Sequence, residues 1–184
     1  MGSEMCIRDS LETKRVLWVT DSRDKSALDE FFKIIGRKAS KGIKVVAMDQ
    51  HEPYKASTKE HCPNAEVVWD RFHIMQTFNK VINDTRMELH EELDKSDPLK
   101  QLTRPKYKYL FTMNSTKRNS TDARHLHDVV EANKDFMQLE LIKERMISFF
   151  HCQKQEDALL TLDEIGVWIY QSGFKHLKRW FDNF

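Results

Sequence analysis

The stretch AEVVWDRFHIMQTFN, residues 65–79, places a short apolar run directly before an aspartate and a helical pattern. Residues 66–69 include two valines and a tryptophan, which is typical of a strand. From Phe72 onward, apolar residues recur at helical spacing. Asp70 therefore stands where a strand gives way to a helix, and His73 follows within the first helical turn. An acid and an imidazole at such a junction indicate either a helix cap or a functional site.

Before this junction, strand patterns alternate with helical ones. Ile43–Met48 is a continuous apolar run and predicts a strand buried on both faces. Ser26 and Asp29 match a capping box at the start of a helix, which Gly36 is suited to end. The apolar face of that helix consists of Leu28, Phe31, Phe32 and Ile35. The predicted elements are strands at Thr13–Thr20, Ile43–Met48 and Glu66–Trp69 and helices over 26–36 and 53–61, an order typical of an α/β fold.

Two of the predicted strands end in an aspartate, Asp49 and Asp70. Strands joined by helical crossovers are expected to be parallel, and ligands of such sheets bind beyond the carboxyl ends of the strands. Two carboxylates at this edge suit a hard divalent cation such as Mg²⁺, and His73 could orient a carboxylate or contact a phosphate. The alternative for each aspartate is local: Asp49 caps the next turn, and Asp70 caps the following helix.

From Phe72 onward the sequence predicts helices only. A long first helix is followed by three others over 121–133, 136–151 and 155–171. Between them, Leu99–Ser120 contains six Lys or Arg residues, interleaved aromatic residues and no Asp or Glu. Such a segment suits a nucleic-acid backbone, or else it is a solvated loop with a few core tyrosines. The candidate nucleic-acid contacts are Arg71, Lys100, Arg104, Lys106, Lys108, Lys117 and Arg118.

Composition argues against several classes of protein. The 184 residues carry a formal net charge of +1, so nucleic acid would be bound through local patches rather than a global field. Three widely spaced cysteines without a CxxC pair argue against a disulfide framework or zinc knuckle, and indicate a reducing compartment. No apolar run approaches the roughly 20 residues of a membrane span, and no signal-peptide core is present. The sequence therefore predicts a cytoplasmic protein without membrane contact.

The two ends of the sequence differ from the rest. The opening MGSEMCIRDS, residues 1–10, has neither strand alternation nor helical spacing, so residues 1–12 are expected to be non-native or unstructured. At the other end FKHLKRWFDNF, residues 174–184, stops within an amphipathic pattern without a cap. A cut at both ends is therefore expected.

The run from Asp49 to Arg86 resembles the central part of DDE transposases of the bacterial ISL3 insertion-sequence family. The matching residues are Tyr54, the PNA run at Pro63–Ala65, the DRFH signature at Asp70–His73, and Asn79 and Arg86 on the following helix. The upstream VLWVTDSRDKSALDEFF, residues 16–32, also resembles the family. The similarity extends from about residue 13 to the C-terminus.

The resemblance implies a partial RNase H-like catalytic core over 13–86, with strands three to five, and a truncated helical insertion over 87–184. Asp49 then matches the second catalytic acid, and Asp70 and His73 match a supporting D-x-x-H element. Both aspartates are implied ligands of a two-Mg²⁺ site, whose ions lie roughly 3.5–4 Å apart and activate water or a 3′-hydroxyl.

The family also implies a function. Its members cut and join double-stranded DNA at transposon ends and target, and a homo-oligomer is expected when the protein is full length. The first aspartate of the family is expected upstream of Thr13 and its final glutamate beyond Phe184, so the chain is expected to be an inactive fragment. Two alternatives stay open: a non-catalytic DNA-binding or helical interaction remnant, and an RNase H-like nuclease unrelated to transposition.

Overall fold

The structure of this chain is a computed structural model that describes the backbone of residues 6–9 and all of residues 15–184. It combines strands with many helices and confirms the α/β class. The strands are β1 (Cys6–Asp9), β2 (Val16–Thr20), β3 (Val45–Met48) and β4 (Glu66–Trp69). The helices are α1 (Lys25–Gly42), α2 (Glu52–His61), α3 (Arg71–Glu92), α4 (Leu99–Leu102), α5 (Lys108–Thr112), α6 (Ser120–Ala132), α7 (Lys134–Phe149), α8 (Gln155–Ser172) and α9 (Lys175–Phe181).

The chain divides into two compact units, Met1–Ile74 and Met75–Phe184. The first contains all the described strands with α1 and α2, and the second contains helices and short turns. The division falls within α3, whereas the family resemblance implies a boundary after residue 86. That functional boundary, between a catalytic core and a helical insertion, stays a prediction.

The strands of the first unit form two separate two-stranded sheets. β3 and β4 are parallel neighbours joined through α2, which confirms the pairing that the β-α-β spacing predicts. Their register pairs Val45 with Glu66 and Met48 with Trp69, so both strands end at the same edge. β1 and β2 pair antiparallel.

The expectation that residues 1–12 contain no strand is wrong, because Cys6–Asp9 form strand β1. Cys6–Asp9 pairs through its backbone with Val16–Thr20, which is the predicted strand Thr13–Thr20 shortened at its start. Four residues are too few to show a clear period of two, but their N–H and C=O groups still gain partners from a neighbouring strand. The rest of that expectation, for residues 1–5 and 10–12, lies outside the described residues.

Helix α1 is longer than its sequence pattern predicts. Gly36, predicted as its end, lies inside it at a kink with a φ of 82°, a left-handed value that glycine tolerates. The predicted capping box is wrong because the helix begins at Lys25, so that Ser26 already lies within it. The carboxylate of Asp29, the other half of that box, instead lies 2.8 Å from Lys25 Nζ.

The core of the first unit contains side chains from α1, α2 and β3. Its buried members are Leu28, Phe31, Phe32, Met48, Tyr54 and Cys62, and Ile35 packs beside them. The predicted apolar face of α1 is therefore confirmed. β3, however, is not buried on both faces, because Val45 and Ala47 are exposed while Met48 is buried. Among the described side chains, the large apolar ones that are exposed on the strands are Val16, Leu17, Val19, Val45 and Val68.

The helices of the second unit build a separate core. Helices α6, α7 and α8 confirm the three that were predicted, with ends shifted by one or two residues. Their fully buried side chains include Val129, Phe136, Ile142, Met146, Ile165 and Ile169. Gly173, at a φ of 75°, ends α8 in the left-handed conformation that commonly terminates a helix. Within the part of the chain that the structure describes, no helix is long and apolar enough to cross a membrane.

An ion network inside the second unit ties the turn after α5 to helix α7. Lys143 is fully buried, and its Nζ lies 2.8 Å from Glu144 Oε1 and donates to the Met113 carbonyl at 2.8 Å. Arg118 lies 2.8 Å from Glu140 Oε1, and its side chain is only 6% exposed. Burial alone would raise the pKa of Glu144, but the contacts led by Lys143 hold it below its usual value. Because a buried charge is costly without a counter-charge, these groups depend on one another.

We expect the amides of β2 to exchange with solvent faster than those of α7 and α8. Isolated two-stranded sheets are marginally stable, and Val16 and Leu17 keep more than half of their area exposed, whereas Ile142 and Ile165 are fully buried. Native-state hydrogen exchange followed by mass spectrometry measures this difference. Equal protection of Val16–Thr20 and α7 in a monomer would contradict the expectation.

Candidate active site

The carboxyl ends of β3 and β4 bring the backbones of Asp49 and Asp70 to one edge of the parallel sheet. Met48 and Trp69, the last paired residues, are direct neighbours across the ladder. The Asp70 amide donates to the Met48 carbonyl oxygen at 2.8 Å, so the pairing continues one residue past β4. The two aspartates therefore leave the sheet at adjacent positions. That both carboxylates face one cleft stays a prediction.

The Asp49 carboxylate pairs with a cation that comes from outside its own sheet. Its Oδ2 forms an ion pair with the guanidinium of Arg23, which lies in the connection between β2 and α1. Asp49 is 21% exposed and Arg23 37% exposed. The N-cap residue of α2 is His51, and the carboxylate of Asp49 contacts Arg23. Nothing in the spacing of residues 23 and 49 reveals this pair, and sequence reasoning missed it.

Asp70 caps helix α3 and also contacts His73. Its Oδ1 accepts a hydrogen bond from the Phe72 amide at 2.8 Å, and its Oδ2 lies 3.0 Å from His73 Nδ1. The Phe72 amide is the main cause of the lowered pKa of Asp70; partial burial opposes the lowering, and His73 adds to it. The imidazole is thus positioned to orient the carboxylate. Each carboxylate oxygen has two lone pairs, so these bonds leave acceptor capacity for a cation.

A second group of possible metal ligands, which sequence reasoning missed, lies between α1 and α2. One ligand atom each from Asp29, Glu60 and His61 lie within 4.8 Å of one another. Lys25 Nζ, however, lies 2.8 Å from Asp29 and 2.7 Å from Glu60. Burial would raise the pKa of Asp29, but the hydrogen bonds from Lys25 and Ser57 keep it below its usual value. The ammonium group of Lys25 already supplies the positive charge, so these residues form an ion-pair cluster that joins α1 to α2.

Five of the seven candidate nucleic-acid contacts are exposed, namely Arg71, Arg104, Lys106, Lys108 and Lys117. Two of these lysines lie over neighbouring tyrosine rings. Lys106 Nζ is 4.7 Å from the centroid of Tyr107, and Lys108 Nζ is 5.1 Å from that of Tyr109. Tyr109 is itself exposed, whereas the ring of Tyr107 also packs against His125.

The other two candidates, Lys100 and Arg118, have structural contacts instead. Lys100 Nζ donates to the carbonyl oxygens of His90 at 2.6 Å and Leu93 at 2.8 Å, and so satisfies groups at the end of α3. The Arg118 guanidinium is paired with Glu140 in the buried network. Both cations therefore already have partners within the second unit, and their contact with nucleic acid stays a prediction.

Nearly the whole chain matches a family of transposases. The matching family model is that of the ISL3 DDE transposases, described simply as transposase, and it covers residues 3–184. The chain belongs to the ISL3 transposase family. The match confirms the resemblance inferred from residues 49–86, and it begins within the opening segment that lacked a clear pattern.

One curated relative of this ISL3-family chain is the transposase for insertion sequence element IS1001 from Bordetella parapertussis. The two are 23% identical over 142 residues, which make up 77% of this chain and 35% of the relative. The chain therefore spans about a third of the length of that relative. No solved structure matches it.

The capping role of Asp70 can be separated from its charge by two substitutions. Asp70→Asn keeps an oxygen that accepts from the Phe72 amide, so the free energy of unfolding should change by less than about 0.5 kcal/mol. Asp70→Ala removes the acceptor and should destabilise the chain by about 1 kcal/mol. Urea unfolding followed by circular dichroism measures both values. An equal loss in the two variants would show that the charge, and not the cap, provides the stability.

Proposed function

We propose that this chain is part of the catalytic region of an insertion-sequence transposase that cleaves DNA and joins it to a target with divalent cations. The observation that supports this most is the parallel pair β3–β4, whose neighbouring ends carry Asp49 and Asp70 in a chain of the transposase family. Ligands of open α/β sheets bind at this edge. The same order of strands and crossover helices is the basis for proposing an RNase H-like fold.

Asp49 and Asp70 are the proposed ligands of Mg²⁺. Carboxylate oxygens suit this cation, and Asp49 already binds the positive charge of a guanidinium. The lowered pKa of Asp70 favours the ionised form that a metal requires. A bound ion would stabilise negative charge at the scissile phosphate and lower the pKa of an attacking water. In this proposal His73 is a positioning residue that holds the Asp70 carboxylate in place.

The proposed partner is double-stranded DNA, both as transposon ends and as target, with the complete transposase acting as a homo-oligomer. Arg104, Lys106, Lys108 and Lys117 are exposed and suited to phosphate contacts in the second unit. Arg71 is the corresponding candidate in the first unit. Lys100 and Arg118 would act only indirectly, by fixing the backbone on which the exposed cations lie.

The proposed metal site is tested by the affinity of the chain for Mn²⁺. Asp49→Asn and Asp70→Asn should each raise the dissociation constant at least about tenfold, since each removes a charged ligand. Glu66→Gln, on an exposed residue at the opposite end of β4, is the matched control and should leave the affinity unchanged. Isothermal titration calorimetry measures all four proteins. Equal affinities throughout would rule out a site at the strand ends.

Without further residues, the 184-residue chain is expected to show no DNA nicking or strand transfer with Mg²⁺ or Mn²⁺. Two aspartates provide too few oxygen ligands to hold two ions in catalytic geometry. A nicking assay on supercoiled DNA tests this, with Asp49→Ala as the control for contaminating nucleases. Metal-dependent nicking that disappears in Asp49→Ala would show that the chain suffices for catalysis.

The DNA proposal predicts a change in salt dependence. Removing two phosphate contacts in the Lys106→Ala/Lys108→Ala double variant should weaken binding and reduce the slope of log K against log salt by about 1.8. Lys134→Ala/Lys154→Ala removes the same charge from other exposed positions and should leave the slope unchanged. Fluorescence anisotropy with a labelled duplex at several salt concentrations gives both slopes. Equal reductions in the two variants would show that only net charge matters.

A further inference from the structure

The ion pair between Arg23 and Asp49 links parts of the chain that share no strand ladder. Arg23 lies in the connection that follows β2, and Asp49 directly follows β3. These two strands belong to separate two-stranded sheets, β1–β2 and β3–β4. The contact therefore brings the connection after one sheet to the carboxyl edge of the other. The residue contacted there, Asp49, is one of the two aspartates on that edge.

The guanidinium bonds to Asp49 through Oδ2, one of the two carboxylate oxygens with which Asp49 could bind a metal ion. A carboxylate oxygen bound by a cation at the carboxyl edge of the sheet suits a divalent ion as well, since Mg²⁺ prefers hard oxygen donors. The neighbouring cation Lys25 does not compete for this position. Lys25, two residues after Arg23, pairs with Asp29 and Glu60 rather than with the strand ends.

We propose that Arg23 competes with the divalent cation for Asp49 and must release this carboxylate before the metal is fully bound. The inference rests on the proposed metal role of Asp49. When a binding-competent state is only partly populated, the apparent dissociation constant rises in proportion. Arg23 thereby sets the metal affinity of the site and holds the Asp49 carboxylate in place while no metal is bound.

The partial exposure of Arg23 and Asp49 limits how strongly their ion pair can change the metal affinity of the site. Arg23 is 37% and Asp49 21% exposed, so solvent weakens the attraction between them. Exposed ion pairs contribute at most about 1 kcal/mol of free energy. Loss of such a pair therefore changes the metal affinity by up to about fivefold. The pair is thus strong enough to compete with a cation and weak enough to open.

The first test compares Mn²⁺ binding to the full chain and to single variants, with free Mn²⁺ measured by electron paramagnetic resonance. Arg23→Gln should lower the dissociation constant about fivefold, because the competing cation is removed. Arg37→Gln, at an exposed arginine near the kink of α1, removes the same charge and should have no effect. In Arg23→Gln/Asp49→Asn the gain should be absent. Circular dichroism checks that each variant keeps its helices.

A second test uses the unaltered chain and so does not depend on how the variants fold. Titration with Mg²⁺ should shift the Nε–H resonance of Arg23 in nuclear magnetic resonance spectra, while that of Arg37 stays in place. The shift should be absent in Asp49→Asn.

The outcomes separate this proposal from the function on which it rests. If Asp49→Asn weakens Mn²⁺ binding but Arg23→Gln does not strengthen it, the competition is overturned and the metal role of Asp49 stands. An Arg23 resonance unmoved by saturating Mg²⁺ overturns the competition in the same way. If Asp49→Asn binds Mn²⁺ as tightly as the unaltered chain, both proposals fail.

Discussion

The hydrogen bond from the Asp70 amide to the Met48 carbonyl, 2.8 Å long, continues the parallel β3–β4 ladder past the last residue of β4. The position of the candidate site depends on this register. A slip of one residue would move Asp70 by about 3.3 Å along the strand and turn its side chain to the other face of the sheet. Met48 helps to prevent such a slip, because its side chain is buried in the core of the first unit. His73 then follows in the first turn of α3, where it reaches the Asp70 carboxylate.

The ion pairs of the two units differ in the burial of the cation, since Arg23 is partly exposed and Lys143 is fully buried. Asp49 and Arg23 are partly exposed, so their ion pair contributes little free energy, which is why we propose that a metal ion can replace Arg23. Lys143 is fully buried beside the partly exposed carboxylates of Glu140 and Glu144, and loss of one of these partners would leave the buried ammonium less well compensated. A reversible ion pair is compatible with the proposed cation site, and a buried one suits the support of residues 99–120, which carry the exposed cations. The exposed cations Lys106 and Lys108 then lie on a fixed backbone.

Periodicity predicted the parallel strand pair, the apolar face of α1 and the helices α6 to α8, because each depends on local patterns that several residues repeat. It failed where a few residues or distant partners decide the structure. The four residues of β1 show no period, and a glycine such as Gly36 can kink a helix without ending it. Sequence spacing also does not show that Arg23 meets Asp49 or that Arg118 is buried beside Glu140, since only the folded chain brings these charges together. The DRFH run was informative because the junction of strand and helix fixes both Asp70 and His73 locally.

We propose that the ends of β3 and β4 form one cation site. Paramagnetic relaxation by Mn²⁺ in nuclear magnetic resonance spectra of the full chain tests this most directly, because broadening reports the distance of each amide from the ion. The amides of residues 48–51 and 69–73 are expected to broaden together at the lowest Mn²⁺ concentrations, and Asp49→Asn should abolish the broadening at both segments. Broadening centred instead on Asp29, Glu60 and His61, or on one strand end alone, would contradict a shared cation site at the two strand ends.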